Sequence, residues 1–342
     1  MNIAVVFGGI SPERNVSIAG GKAVCKAITE LGHNVVPVDP AFGADGIVNI
    51  NDLKTVDSAP SAEELAAFDS RNYIDCVNSS IFDNIDLAFL VLHGKNGEDG
   101  KMQALLELRG IKYTGSNVKS SAAAMDKLMT KLVLSSVNIP TPEWAPVRKD
   151  QHNDMEYFKE IIDGYGKYLV VKPVDEGSTV GITIIEKADQ DKIHDAVLEA
   201  AKYSETVLIE RYIEGREITV GIIGEEALPI VEIIPEGGYY DYEHKYTSGK
   251  TQYICPAEIP ENVDEFIQTI SLDAYKMLGC SGFARVDLRL DDEYQPFILE
   301  VNTIPGFTET SLVPKAAAAI DISFPELCRH IMNIALDIDD ED

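Results

Sequence analysis

The chain has 342 residues, 45% of them hydrophobic, which is enough for two or three cored domains and too apolar for a disordered polypeptide. With 29 Lys+Arg against 57 Asp+Glu its formal net charge is −28, a field that repels phosphate backbones and anionic membranes and argues against both as partners. Five scattered cysteines without C-x-x-C spacing, and no apolar run of transmembrane length, predict reduced thiols in a soluble cytoplasmic protein.

Against that acidic background an anionic substrate needs a local cluster of cations, so the position of each lysine is informative. Residues 2–7, NIAVVF, read as a strand ending at Gly8-Gly9, residues 17–31 as a helix and NVVPVD as a second strand, together a βαβ unit opening a parallel sheet. The turn GGISPE lacks G-x-G-x-x-G spacing, which weakens a dinucleotide reading. Glu13 would lie at the carboxyl end of a parallel strand, where α/β sheets bind ligands, although taken alone it reads more readily as a solvated loop acid. Residues 41–84 are polar and poorly periodic, with Pro60, Ser61 and Glu63-Glu64 opening at most a short helix. The strand 85–92 runs into a glycine-punctuated loop containing His93, and a helix is predicted over 102–109.

A single helix is predicted over 120–136, with Met125, Leu128, Met129 and Leu132 as its apolar face and Lys127 and Lys131 off it. Ile139 to Pro142 stops that helix and marks a hinge. In the strand KYLVVKP, Lys172 interrupts an apolar run, which is costly unless its ammonium meets a negative group. The loop 176–181, EGSTVG, could close its amides over phosphate. TVLIERYI and ITVGIIG read as further strands, the latter pairing with ALPIVEIIP. Residues 236–256 form a tyrosine-rich stretch without a period, as expected of a lid, with Lys245 and Tyr246 at its middle. Gly249-Lys250-Thr251 imitates a P-loop, but His244 stands where the first glycine belongs.

After a helix over 264–278, residues 283–302 read as a β-hairpin that brings Asp287, Glu300 and Asn302 together. Two carboxylates and an amide oxygen suit Mg²⁺ shared with phosphate; a solvated acidic hairpin is the competing reading. The chain closes with a helix over 323–336, where Ser323 and Glu326 have capping-box spacing.

HGKNGEDG at 93–100, MDKLMTK at 125–131, VVKPVDEGSTVG at 170–181, YDYEHKY at 240–246, GFARVDL at 282–288 and ILEVNTIPGFTETSLVP at 298–314 together resemble the D-alanine–D-alanine ligases of the ATP-grasp superfamily. The resemblance implies an α/β protein with the ATP-grasp fold. Its parts would be a Rossmann-like parallel-sheet domain (1–116) and two α+β subdomains (117–210 and 211–342) that sandwich ATP. It implies ATP-dependent joining of two D-alanines through a D-alanyl phosphate for peptidoglycan precursor synthesis, by a homodimer that uses two Mg²⁺, or Mn²⁺. By resemblance, Lys127, Lys172 and Lys245 face the phosphates, Glu210, Arg211 and Ile213 the adenine, and Glu217 the ribose. Glu13 and His93 would meet the first D-alanine, and Arg285, Ser311 and Leu312 the second. Arg285 and the amide of Gly306 would hold the oxyanion, while Glu13, Ser178 and Tyr246 close the lid and assist amine deprotonation. Tyr246 favours an amine over D-lactate as nucleophile. D-serine or another amine acceptor, and a nucleotide-binding relative without turnover, are the alternatives.

Overall fold

The computed structural model describes residues 1–54, 58–187, 189–235 and 251–338. Lys245 and Tyr246, predicted on a lid, lie outside the described residues, as do Gly249 and Lys250.

The predicted βαβ unit is β1 (Asn2–Val6), α1 (Arg14–Glu30) and β2 (Asn34–Val38). β1 pairs in parallel with β2 and with β3 (Leu87–Leu90), giving the order β2-β1-β3. Ile3 to Phe7 and Leu87 to Leu92 are fully buried, as a parallel sheet covered on both faces requires. Within 41–84, the described residues hold more regular structure than their pattern suggests. They hold α2 (Ala62–Ala66), opened by the Ser61–Glu64 capping box, and α3 (Asn72–Asn78). This stretch packs on the loop that carries Glu13: Tyr73 Oη accepts from Ile10 N (3.2 Å), and Asn15 Nδ2 donates to Ser58 O (2.6 Å). Arg14 is ion-paired with buried Asp39 at 2.6 Å, and its guanidinium lies 4.7 Å from the Phe68 ring centre. Gly9 takes a positive φ of 75°, and a Cβ there would come within 2.4 Å of Tyr73 Oη, so this close approach needs glycine.

Helix α4 (Lys101–Arg109) follows the His93 loop. The single helix expected over 120–136 is in fact two, α5 (Val118–Met125) and α6 (Lys127–Ser136). Asp126 breaks it: its backbone is extended, and its carboxylate accepts from Leu128 N (2.9 Å) and Met129 N (3.1 Å), forming a new N-cap. The expected apolar face is also reversed. Lys127, Thr130, Lys131 and Leu134 are buried, while Met129 and Leu132 are 46% and 47% exposed. The amphipathic pattern misleads here because the buried face meets carboxylates rather than a hydrocarbon core.

A second, antiparallel sheet contains β4 (Trp144–Val147), β5 (Tyr168–Pro173), β6 (Thr183–Glu186) and β7 (Val207–Arg211) in the order β4-β7-β5-β6. It is backed by α7 (Met155–Ile161) and α8 (Gln190–Ala200), which share its apolar cluster. The third sheet runs β11-β10-β8-β12-β13, with β9 (Glu226–Ala227) on β8. Its strands are β8 (Arg216–Ile223), β10 (Val231–Pro235), β11 (Thr251–Ile254), β12 (Phe283–Leu290) and β13 (Pro296–Asn302), and α9 (Glu261–Met277) packs in its core. The end of the stretch expected to be structureless is therefore strand, since Thr251 to Ile254 pair with β10. Helices α10 (Leu312–Ala318) and α11 (Phe324–Leu336) follow; α11 carries the predicted capping box and lays Leu327, Cys328, Ile331 and Met332 into the core of the first sheet.

Asp126 starts the helix that carries two inward lysines, so Asp126→Ala should cost about 1 kcal/mol of unfolding free energy. Chemical denaturation checks this, and a variant as stable as the parent would show that the cap contributes nothing.

Candidate active site

Because the hairpin β12–β13 is antiparallel, Asp287 stands opposite Glu300 and Arg285 opposite Asn302. A bulge after Asp287 shifts the register, so the outer end of the hairpin is re-aimed relative to this acidic end. The three predicted metal ligands thus come together: Asn302 Nδ2 donates to Asp287 Oδ2 at 2.9 Å. Arg285 grips Asp287 through two bonds, Nε to Oδ1 at 2.8 Å and Nη2 to Oδ2 at 2.7 Å, and Lys127 Nζ lies 3.0 Å from Glu300 Oε2. Burial, the largest single influence, would pull Lys127 down, but Glu300 with Glu98 and Glu210 together outweigh it and hold the ammonium above its usual pKa. The donor set fits a hard divalent cation. Asp287 and Glu300 stand opposite each other with Arg285 and Lys127 balancing their charge, a place a metal ion could take. Asn302 now turns its Nδ2 to Asp287 and would present its amide oxygen to a metal after the amide turns over.

Two cavities open on either side of this cluster. The first, of about 290 Å³, has Glu13, His93, Gly306, Ser311 and Asn302 in its wall. The second, of about 200 Å³, is lined by Lys172, Glu210, Arg211, Ile213, Glu217 and Asp287. Lys127, Ser178, Arg285, Glu300 and Leu312 belong to both, so the cavities share a wall. Every predicted site residue within the described part of the chain therefore lines one cavity or the other.

In the first cavity, His93 Nδ1 lies 2.9 Å from the carbonyl of Ile304, so that nitrogen must carry the proton and donate. Burial lowers the pKa of the ring, keeping it neutral and leaving Nε2, which is buried without a hydrogen-bond partner, as a bare acceptor. Ser178 Oγ donates to Glu13 Oε1, closing the loop 176–181 onto the first sheet. Gly177 permits the approach, since a Cβ there would come within 3.0 Å of Glu13 Oε2. In the second cavity, Lys172 reaches Glu210 Oε1 at 2.9 Å, which supplies the negative partner that its place in an apolar strand demanded. Arg211 pairs with Glu143 at 2.8 Å and lies over the Phe297 ring, while Ile213 O accepts from Arg289 Nε at 3.1 Å.

Two family models match the chain, one described as D-ala D-ala ligase N-terminus over residues 2–116 and one as D-ala D-ala ligase C-terminus over residues 133–333. The chain belongs to the D-alanine–D-alanine ligase family. A D-alanine–D-alanine ligase of Desulforudis audaxviator is 39% identical over 97% of this chain and 98% of its own length. One of Syntrophotalea carbinolica is 40% identical over 96% of this chain and 94% of its own. Among solved structures, the D-alanine–D-alanine ligase of Bacillus anthracis aligns with a TM-score of 0.77 at 34% identity, covering 98% of both chains. A structure of that enzyme complexed with ATP aligns at 0.75 and 31% identity, also over 98% of both. The fold is accordingly the ATP-grasp fold of this family, with a parallel N-terminal sheet and two antiparallel sheets.

Sequence reasoning passed over several groups at this family site. Lys95 bridges to Glu176 and, at 3.8 Å, to Asp175, tying the His93 loop to the loop that carries Ser178. HGKNGEDG and VDEGSTVG were both singled out, and their opposite charges were the available signal. Glu98 is 8% exposed in the first cavity and accepts from Gly94 N at 3.0 Å. Burial, with the nearby Glu13 charge added, pushes its pKa up to about 8. No pattern in HGKNGEDG distinguishes this buried acid from Asp99 beside it.

Glu98 holds its proton in the folded protein to a higher pH than in the unfolded chain. It therefore erodes stability as pH rises from about 4.5 towards 8. In the ligand-free protein, Glu98→Gln should melt progressively higher than the parent as pH is raised through that window. A difference in melting temperature independent of pH would refute the assignment.

Proposed function

We infer that the protein joins two molecules of D-alanine into D-alanyl-D-alanine at the expense of ATP, through a D-alanyl phosphate, as a step towards peptidoglycan precursors. One observation carries this reading: a cavity that holds Lys127 and Lys172 and an amino-acid-sized cavity meet at a wall made of Lys127, Gly177, Ser178, Arg285, Glu300 and Leu312. That is the layout needed to bring a terminal phosphate against a carboxylate. Membership in the ligase family, and the ATP complex of the Bacillus anthracis enzyme, support the same assignment.

ATP would occupy the second cavity, with its base along Glu210, Arg211 and Ile213, its ribose at Glu217 and its phosphates at Lys127 and Lys172. Lys245 would approach the transferred phosphate from the lid. Asp287, Glu300 and Asn302 would hold Mg²⁺, which when bound supplies positive charge to the phosphate oxygens. The ammonium of the first D-alanine fits the acceptor pair formed by the Glu13 carboxylate and bare His93 Nε2. Its carboxylate oxygen attacks the terminal phosphorus, ADP leaves, and the acyl phosphate forms. The second D-alanine is held by its carboxylate at Arg285, Ser311 and Leu312. Its amine gives up a proton along Ser178 and Glu13, with Tyr246 completing the set, and attacks the acyl carbon. Arg285 and the Gly306 amide stabilise the oxyanion until inorganic phosphate departs. The same reading carries two Mg²⁺ ions, with Mn²⁺ as substitute, a homodimer, a cytoplasmic setting and a three-part division at 116/117 and 210/211. Among the described residues no helix is long and apolar enough to cross a membrane.

With ATP, Mg²⁺ and D-alanine the protein should release one ADP per dipeptide, and product mass should identify D-alanyl-D-alanine. ADP release without dipeptide would overturn the reading. Arg285→Ala should lower kcat by about a hundredfold or more, as loss of an oxyanion donor does, and a near-normal kcat would remove Arg285 from that role.

A further inference from the structure

Behind the second cavity lies a buried group of three charges that no step above uses in full. Glu210 Oε1 is approached by two ammonium groups, Lys172 at 2.9 Å and Lys131 at 3.2 Å, and the three side chains are 2%, 6% and 0% exposed, respectively. Both contacts are close charge-to-charge approaches to one oxygen. The cluster carries two positive charges and one negative, an imbalance that a buried site tolerates poorly. Burial would raise the Glu210 pKa, but the two ammonium groups together hold it below the usual carboxylate range. Lys131, pushed down to about 8 by burial, bears the strain of the excess charge.

The two lysines differ in reach. Lys172 and Glu210 line the cavity, whereas Lys131 does not. It sits on α6 behind Glu210, with its ammonium anchored by a 2.8 Å bond to Thr141 Oγ1, which donates in turn to Ile298 O at 2.8 Å. Lys172 is thus the cation that a polyphosphate can recruit. Once it turns away, Glu210 needs another cation to remain ionised in a buried place.

We propose that Lys131 is the positioning residue that keeps Glu210 charged and turned to the nucleotide base, so that the site selects a 6-amino purine over a 6-oxo purine. This rests on the reading of the second cavity as the nucleotide site with Glu210 at the base. An ionised carboxylate only accepts hydrogen bonds. It therefore pairs with an exocyclic amine and repels an exocyclic carbonyl, the kind of buried polar match that discriminates strongly. Without Lys131, Glu210 either takes up a proton, which makes it indifferent to that choice, or keeps Lys172 and withholds it from the phosphates.

The test compares ATP with ITP in the dipeptide-forming reaction for the parent, Lys131→Met, Lys131→Arg and Thr141→Val. The parent should prefer ATP by about a hundredfold or more in kcat/KM. Lys131→Met should cut that preference at least about tenfold, mainly by raising the KM for ATP, and Lys131→Arg should restore most of it. If Lys131→Met does not fold, Thr141→Val decides: it frees the Lys131 anchor without burying a new charge and should lower the preference severalfold. An unchanged ATP-to-ITP ratio in a folded Lys131→Met, or in Thr141→Val where that variant decides, overturns the proposal while leaving the nucleotide site intact. A parent that uses both nucleotides equally removes Glu210 from the base and the proposal with it.

Discussion

The structure depends on pairing buried cations with carboxylates where its three sheets meet. Lys127 with Glu300, Arg285 with Asp287 and Lys172 with Glu210 each join a positive group to an acid at or beside the wall between the cavities. A charge left alone in such a place would cost several kcal/mol, so each pair holds its two elements in register as long as nothing better is on offer. On the reading proposed above the ligands are the better offer: Asp287 and Glu300 would take the metal, Lys127 and Lys172 would meet the phosphates, and Arg285 would meet the second D-alanine. The chain's formal net charge of −28 makes this local inversion of sign stand out. The site draws on a small number of cations supplied by α6, β5 and β12.

The loops complete the site by the same means. The loop carrying Glu13 is backed by Arg14 and Asp39 and by Tyr73, so its acid enters the first cavity from a braced turn rather than a free one. The Ser178 loop is held from two directions, through Ser178 to Glu13 and through Glu176 to Lys95. Ser178 and Thr179 both take positive φ, at 48° and 66°, conformations that cost energy for residues with a Cβ and persist only where surrounding contacts compensate. Sequence and local geometry are linked here at single residues, with Gly177 allowing the approach and Ser178 making the bond to Glu13.

Much of this was legible before any coordinates. The βαβ opening, the hairpin with its three oxygen donors and the capped closing helix follow from alternation, turn residues and cap spacing, which are local signals. Lys172 was legible too, because an ammonium in an apolar strand requires an acid, though not which acid. What the sequence hid was long-range. The helix over 120–136 read as continuous because Asp126 is an ordinary helix-surface residue until its carboxylate caps α6. Its lysines read only as lying off the apolar face, because a buried polar face has the same period as an exposed one. Residues 41–84 read as polar and poorly periodic because their role lies in Ser58, Tyr73 and the Phe68 ring meeting a loop some 40 to 60 residues away in sequence. Glu98 and Lys131 carried no signal, since burial alone makes them unusual.

The central claim is that the shared wall lets the carboxylate of one D-alanine become phosphorylated before the second amine attacks it. D-alanine labelled with ¹⁸O in its carboxylate tests this in a single turnover analysed by mass spectrometry of the released phosphate. One labelled oxygen should appear in each inorganic phosphate, left there when the amine displaces it from the acyl carbon. Phosphate free of label, formed alongside dipeptide, would mean that the carboxylate never bonded to phosphorus and that the two cavities do not work as one site.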